Sequence, residues 1–211
     1  MKAQTHDFLD GNGPVPSHIH TKGGGWVADT ANVYNSAYIG PDAWVHDNAW
    51  VSGNAWVHGD ARVSGSAWVS GDARVSGDAR VSGDAWVYGD AWVSGNAWVS
   101  GSALVDGDAR VSGNARVYGS ARVSGNAWVS GSALVDGDAR VKRGMYTSTP
   151  TSITRSDGCM FTLQSDGSIV AGCRDFTPDE AKAHWGDPEH HKHRESMAIV
   201  TALNAIAAER Q

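Results

Sequence analysis

Proline is scarce in this chain, at 6 of 211 residues, and cysteine scarcer, at 2. Glycine is not placed at every third residue, so a collagen-like rod is excluded. Two cysteines cannot build a disulfide scaffold. No apolar run approaches the ~18 residues of a membrane span. The first residues, MKAQTHDFLDGNGPVP, hold no apolar stretch of the signal-peptide kind. Basic charge is also in short supply. Lys and Arg total 17 against 23 Asp and Glu, a net charge of -6, which speaks against a general nucleic-acid binder. A phosphate-binding glycine loop, a nucleophile elbow and a zinc-type cysteine motif are all missing. No cofactor is therefore expected. These shortages describe a soluble cytoplasmic protein with no membrane partner. What the chain does have is 26 Gly, 10 Trp and abundant Val, which excludes disorder despite the biased composition.

The abundance is periodic, and repeats are read before anything else. An aliphatic residue stands at 27, 33, 39 and so on to 141, which makes twenty hexads. Nearly every hexad reads small-X-Val-X-Gly-Asp/Asn/Ser, as in Ala-Trp-Val-Ser-Gly-Asn over 49–54. Ala stands two residues before each aliphatic residue, except in the first hexad, where Gly25 takes that place. A flat strand would alternate without a break. Here the alternation lasts about three residues before Gly and an Asp or Asn let the backbone turn. Ala and Val then face inward, and the X between them faces out. Short strands and sharp turns repeated in this way make a solenoid.

Three hexads give a triangular coil of 18 residues. This pattern closely resembles the left-handed β-helix, hexapeptide-repeat superfamily. Val51 with Ala55, and Val93 with Ala97, match its aliphatic core residue followed by a small residue four places on. The resemblance covers about 26–143. The segment Gly23-Gly24-Gly25-Trp26-Val27 also resembles a group of bacterial and bacteriophage hexapeptide-repeat proteins. The expected fold is an all-β solenoid, a left-handed parallel β-helix, with a small α+β C-terminal module. The expected boundaries are an N-terminal cap over 1–25, the β-helix over 26–143, a linker over 144–153 and a hairpin-plus-helices module over 154–211. The resemblance further implies a homotrimer.

Residues 18 apart share a face, so the X positions form three ladders. The first is Trp26, Trp44, Arg62, Arg80, Trp98, Arg116, Leu134. The second is Asn32, Trp50, Trp68, Trp86, Leu104, Arg122, Arg140. The third is Tyr38, Trp56, Arg74, Trp92, Arg110, Trp128. Exposed Trp marks contacts. The third ladder alternates Trp with Arg at a spacing suited to cation–π stacking, and the same residue types stack bases and hold anions. Trp56, Arg74, Trp92, Arg110 and Trp128 are accordingly the candidate ligand-binding residues. The three successive Trp of the second ladder suit a contact with another subunit. The turn acids also stack, as in Asp72, Asp90 and Asp108, and need pairing or a cation.

Proteins of the resembled superfamily are often acyltransferases with a catalytic His near a coil edge. Here the repeats hold only His46 and His58, both at ordinary turn positions, and no loop interrupts the hexads. No catalytic residue and no metal ligand is assigned. Beyond the repeats, Cys159–Leu163 and Ser168–Ala171 flank a turn near Asp166, which predicts a hairpin with Cys159 and Cys173 opposed. Thr177-Pro178-Asp179-Glu180 predicts a helix start. Asp187-Pro188 predicts another, running almost to Gln211, with an apolar stripe of Met197, Val200, Leu203 and Ala207 suited to docking. His190, His191 and His193 beside Glu189 read as a polar face. The leading functional expectation is a phage-encoded, non-enzymatic oligomeric protein of the host cytoplasm. It would capture a small anionic or aromatic ligand such as a nucleotide, and so sequester a host defence signal. The alternatives are an acyltransferase and a structural spacer presenting its tail.

Overall fold

The computed structural model describes residues 4–172, 174–190 and 192–209. Each hexad contributes one strand of mostly two residues, as in Trp56–Val57 and Arg62–Val63. Every third strand pairs in parallel, with Trp68 opposite Trp86 and Arg74 opposite Trp92. The chain therefore winds into three flat sheets whose outward residues are the three ladders. Each sheet stacks seven coil strands, so the prism is about 30 Å long. This is the left-handed β-helix repeat fold. Its interior is built from the Val and Ala columns, which are closed to solvent along nearly their whole length.

The turn glycines explain why the period never slips. Gly77 has φ +66, in the left-handed region, and a Cβ there would lie 3.0 Å from the backbone nitrogen of Gly95 in the next coil. Both the backbone angle and the space exclude a side chain.

The two ends of the prism are closed differently. At the N-terminal end, the strand Val15–Ile19 runs antiparallel to Trp26–Ala28, and Thr5–His6 pairs with Val15 and Pro16. Gly23 and Gly25 cross the mouth of the coil so closely that a Cβ would sit 2.1 Å from the Ile39 carbonyl oxygen and 2.3 Å from that of Gly40, respectively. This is why the first hexad has Gly where the others have Ala. The Gly25 N–H donates to Ile39 and the Ile39 N–H donates to Lys22, so the open edge is satisfied.

At the C-terminal end the solenoid runs further than 143. The stretch expected as a linker, 144–153, carries the strand Met145–Tyr146, which pairs with Trp128–Val129, and the first residues of Ser152–Thr154. The register there is one residue short of eighteen, because Tyr146 rather than residue 147 enters the core column. Tyr146 is buried, and its hydroxyl donates to Gln164 Oε1 at 3.1 Å. Gln164 is itself buried. Its Nε2 donates to the Arg140 carbonyl and its Oε1 accepts from the Lys142 N–H. One amide side chain thus pairs with the last edge of the second sheet as a further strand would.

The tail is more than a hairpin. Four antiparallel strands, Ser152–Thr154, Met160–Leu163, Ile169–Ala171 and Arg174–Phe176, form one sheet. Helix α1 (Pro178–Gly186) starts with a capping box between Thr177 and Glu180. Helix α2 (His193–Glu209) begins later than Asp187-Pro188 suggests. Asp187 instead closes a turn by accepting from the Glu189 N–H, and Lys192 takes φ +63, which a helix does not admit. The apolar stripe of α2 is used inside the module. Val200 and Leu203 are fully buried with Phe161, Leu163, Ile169 and Trp185, while Met197 and Ala207 lie half-buried beside them. The stripe is therefore not free for docking. Cys159 is half-buried, and the expected opposition to Cys173 lies outside the described residues.

Replacing Gly77 by Ala should lower stability by roughly 1–3 kcal/mol. Gly186→Ala, at a position with no positive φ and no atom within 4 Å, should change it by under 1 kcal/mol in the stabilising direction. Urea melts of the two variants check the contrast. The C-terminal closure should also respond to alkali. Burial pushes the Tyr146 hydroxyl up to about 12 from its ordinary 10. Below pH 10 the proton is on in both folded and unfolded chains. Between pH 10 and 12 only the unfolded chain releases it, so stability falls with rising pH by at most about 2–3 kcal/mol. Thermal melts from pH 8 to 12 should show this loss in the wild type and a shallower slope in Tyr146→Phe.

Candidate functional site

The outward ladders are where chemistry meets solvent, because the inward columns of the hexads hold little besides Ala, Val and one Ile. On the third sheet the register places Trp56, Arg74, Trp92, Arg110 and Trp128 directly above one another. The structure therefore brings all five candidate residues into one row. Their indoles are open to solvent, with 46% of Trp56, 40% of Trp92 and 39% of Trp128 exposed. The rings are also oriented. Trp92 Nε1 donates to Ser76 Oγ at 3.2 Å and Trp128 Nε1 donates to Ser112 Oγ at 3.1 Å. Trp56 stacks on Tyr38 at 4.7 Å between centroids. Ser76 is buried, so Trp92 is tethered to the prism wall.

Arg74 and Arg110 flank Trp92, one coil to each side. Among the described residues neither makes an ion pair or a side-chain hydrogen bond. The neighbouring turn carboxylates of Asp72, Asp90 and Asp108 line the same groove, which has a volume of about 290 Å³. Asp72 and Asp108 are not paired with the arginines two residues on, and Asp90 has Trp92 at that place. Asp72 instead accepts from Asn54 Nδ2.

The cation–π contacts expected on this ladder occur on the first sheet instead. Arg62 lies 4.3 Å from the Trp44 ring centroid, and Arg116 lies 5.9 Å from that of Trp98. The physical difference is clearest at Trp44, whose ring is also covered by His6 and Phe8. A partly desolvated indole holds a cation more strongly than an open one. On the second sheet, Trp50, Trp68 and Trp86 form a continuous run of tilted indoles 5.3 and 5.1 Å apart.

The N-terminal arm makes a second arrangement that the repeat pattern does not reveal. Phe8 is buried and stacks on the His46 imidazole at 4.9 Å. His46 is thus not an ordinary turn residue. Only 8% of its side chain is exposed, and its Nδ1 has no hydrogen bond. That nitrogen faces Asp10 Oδ2 at 3.6 Å and Asp47 Oδ2 at 3.4 Å. Backbone and side-chain hydrogen bonds from Asn12 hold the Asp10 carboxyl below the usual carboxylate range, so it is an anion at neutral pH. Asp47 takes φ +60 at the turn position that Gly occupies from Gly53 to Gly137. Gly is also absent from this position at Asp29, Asn35 and Pro41, so the hexad pattern alone does not single out this turn. Nothing in the sequence pattern connects it to Asp10.

The remaining histidines lie elsewhere, and His184 meets His190 edge-on at 5.0 Å between ring centroids. His58 is exposed, with its ring edge-on to Trp56. His193 Nδ1 lies 2.6 Å from the Trp185 carbonyl oxygen, and His184 stacks on Phe176. His191 lies outside the described residues. Among the described residues, the group able to converge on one metal ion is Asp10, His46 and Asp47.

Three segments of the chain, 73–89, 109–123 and 121–137, match the family model described as the YdcK Beta solenoid repeat. They lie within the solenoid and include Arg74, Arg110 and Trp128 of the third ladder. No curated protein matches the chain.

Proposed function

We propose that this chain, a left-handed β-helix repeat protein, is a binding protein that captures a small ligand with a planar ring and a negative charge, such as a nucleotide, on its third sheet. The observation that carries the reading is the exposed, tethered indole of Trp92 between the unpaired guanidinium groups of Arg74 and Arg110. A base stacked on such an indole gains ~1–3 kcal/mol. A phosphate beside a guanidinium accepts charge-assisted hydrogen bonds in a fork that Lys cannot reproduce. The two arginines stand two strands apart, about 10 Å, a span that a mononucleotide covers. The Asp90 carboxylate on the groove edge accepts from an amino or hydroxyl group and disfavours ligands that are all phosphate. In a phage-infected cell such capture removes a nucleotide signal from solution.

The run of Trp50, Trp68 and Trp86 on the second sheet suits a different task. Three neighbouring indoles make an apolar strip that supports packing between copies in a homotrimer.

Calorimetry with a panel of mono- and cyclic nucleotides tests the ligand reading. At least one should bind, Trp92→Ala should weaken it tenfold or more, and Arg74→Gln with Arg110→Gln should flatten its salt dependence. If no member of the panel binds, the nucleotide reading fails. Multi-angle light scattering tests the assembly: Trp86→Ser should reduce a trimer mass toward that of one chain, and an unchanged mass would remove the second sheet from the interface.

A further inference from the structure

We infer that Asp10, His46 and Asp47 form a binding site for a divalent first-row transition metal, of the Zn²⁺ or Mn²⁺ kind, that pins the N-terminal arm to the solenoid. The site is independent of the Trp and Arg ladder of the third sheet. The three ligand atoms, Asp10 Oδ2, His46 Nδ1 and Asp47 Oδ2, all lie within 4.8 Å of one another. A tetrahedral metal with bonds of about 2.0–2.1 Å separates its ligands by about 3.4 Å. The distances from His46 Nδ1 to the two carboxylate oxygens are 3.6 and 3.4 Å. An ion fits between the three atoms with little movement of any of them.

The state of His46 is the independent reason to place a ligand there. Its imidazole is more than nine-tenths buried, yet Nδ1 has no hydrogen-bond partner and is aimed between two carboxylates. A buried nitrogen left without a hydrogen-bond partner destabilises the fold. A metal bond removes that cost and at the same time neutralises two anions held close together. The ring is fixed by its stack on Phe8, so the nitrogen cannot swing to water without breaking that contact.

The carboxylates are held as well. Asp47 Oδ2 accepts from the Gly65 N–H at 2.9 Å, and both oxygens of Asp10 accept from Asn12. Hydrogen bonds behind the ligands orient them for the metal. Imidazole nitrogen with two carboxylates selects a transition metal over Ca²⁺ or Mg²⁺, which take oxygen donors. A cavity of about 530 Å³ opens beside the three residues and leaves room for water or a small anion in the remaining coordination positions.

The ligands come from two parts of the chain. His46 and Asp47 belong to a solenoid turn, whereas Asp10 belongs to the arm that covers Trp44. A bound ion therefore ties the arm down. Isothermal titration of the metal-stripped full chain with ZnCl₂, repeated with MnCl₂, tests the site. One equivalent of at least one of the two should bind. Asp10→Asn and Asp47→Asn should each weaken it tenfold or more with an unchanged circular-dichroism spectrum. Neither residue is part of the solenoid core, so both variants are expected to fold. His190→Ala should leave the affinity unchanged, which separates this site from the His-rich tail segment. Hydrogen exchange over residues 7–12 should slow at least tenfold on addition of metal in the wild type and not in Asp10→Asn. Absence of saturable binding by either metal, affinity unaffected by both Asp substitutions, or exchange indifferent to metal would each overturn the inference.

Discussion

Backbone hydrogen bonding from each coil to the next governs the whole molecule. The Arg74 N–H donates to Ala91 and the Ser76 N–H to Val93, and the Asn96 N–H in a turn donates to Gly113. The same three bonds recur around the prism. One residue inserted within a strand would turn its Val to the outside, because inward and outward positions alternate. The tight stacking of turn glycines forbids local repair. Twenty hexads without an insertion are the result, and the price is an interior that along those hexads holds nothing larger than Val and one Ile.

Such a column has no natural end. Each terminal coil exposes a row of unpaired N–H and carbonyl groups, which invites continued strand addition. The chain solves this twice, by different means. At the start, glycines allow the backbone itself to cross the opening, and an antiparallel strand covers the first sheet. At the finish, the side chains of Tyr146 and Gln164 reach the last edge, and Arg143 pairs with Asp166 and Asp175 to hold the tail sheet against it. The tail is therefore a closure as well as a module with its own core.

A filled, invariant interior frees the outside. An outward residue changes neither the period nor the columns, so Trp, Arg and Leu can be arranged by other demands. The three faces differ accordingly. The first uses part of its Trp and Arg to seat the N-terminal arm, the second presents stacked indoles, and the third keeps its indoles and guanidinium groups apart. Whatever the solenoid recognises has to be read from these faces or from its ends, since nothing reaches the core.

The sequence by itself determined the coil. A period of six, with Val and Ala in phase, places every strand and assigns each ladder residue to its face, because each contact is a copy of the one before it. The row of Trp56, Arg74, Trp92, Arg110 and Trp128 was legible for that reason, as was the helix start at Thr177. Contacts that occur once were not legible. The meeting of Asp10 with His46 and Asp47 joins residues far apart along the chain through an arm with no period. The stack of Phe8 on His46, the reach of Gln164 to Arg140 and the entry of Tyr146 into the core column are of the same kind. These depend on how the two ends fold back onto a finished prism, and only the tertiary structure decides that, because no local pattern of apolar residues or turns records which distant surface a non-repeating segment will cover.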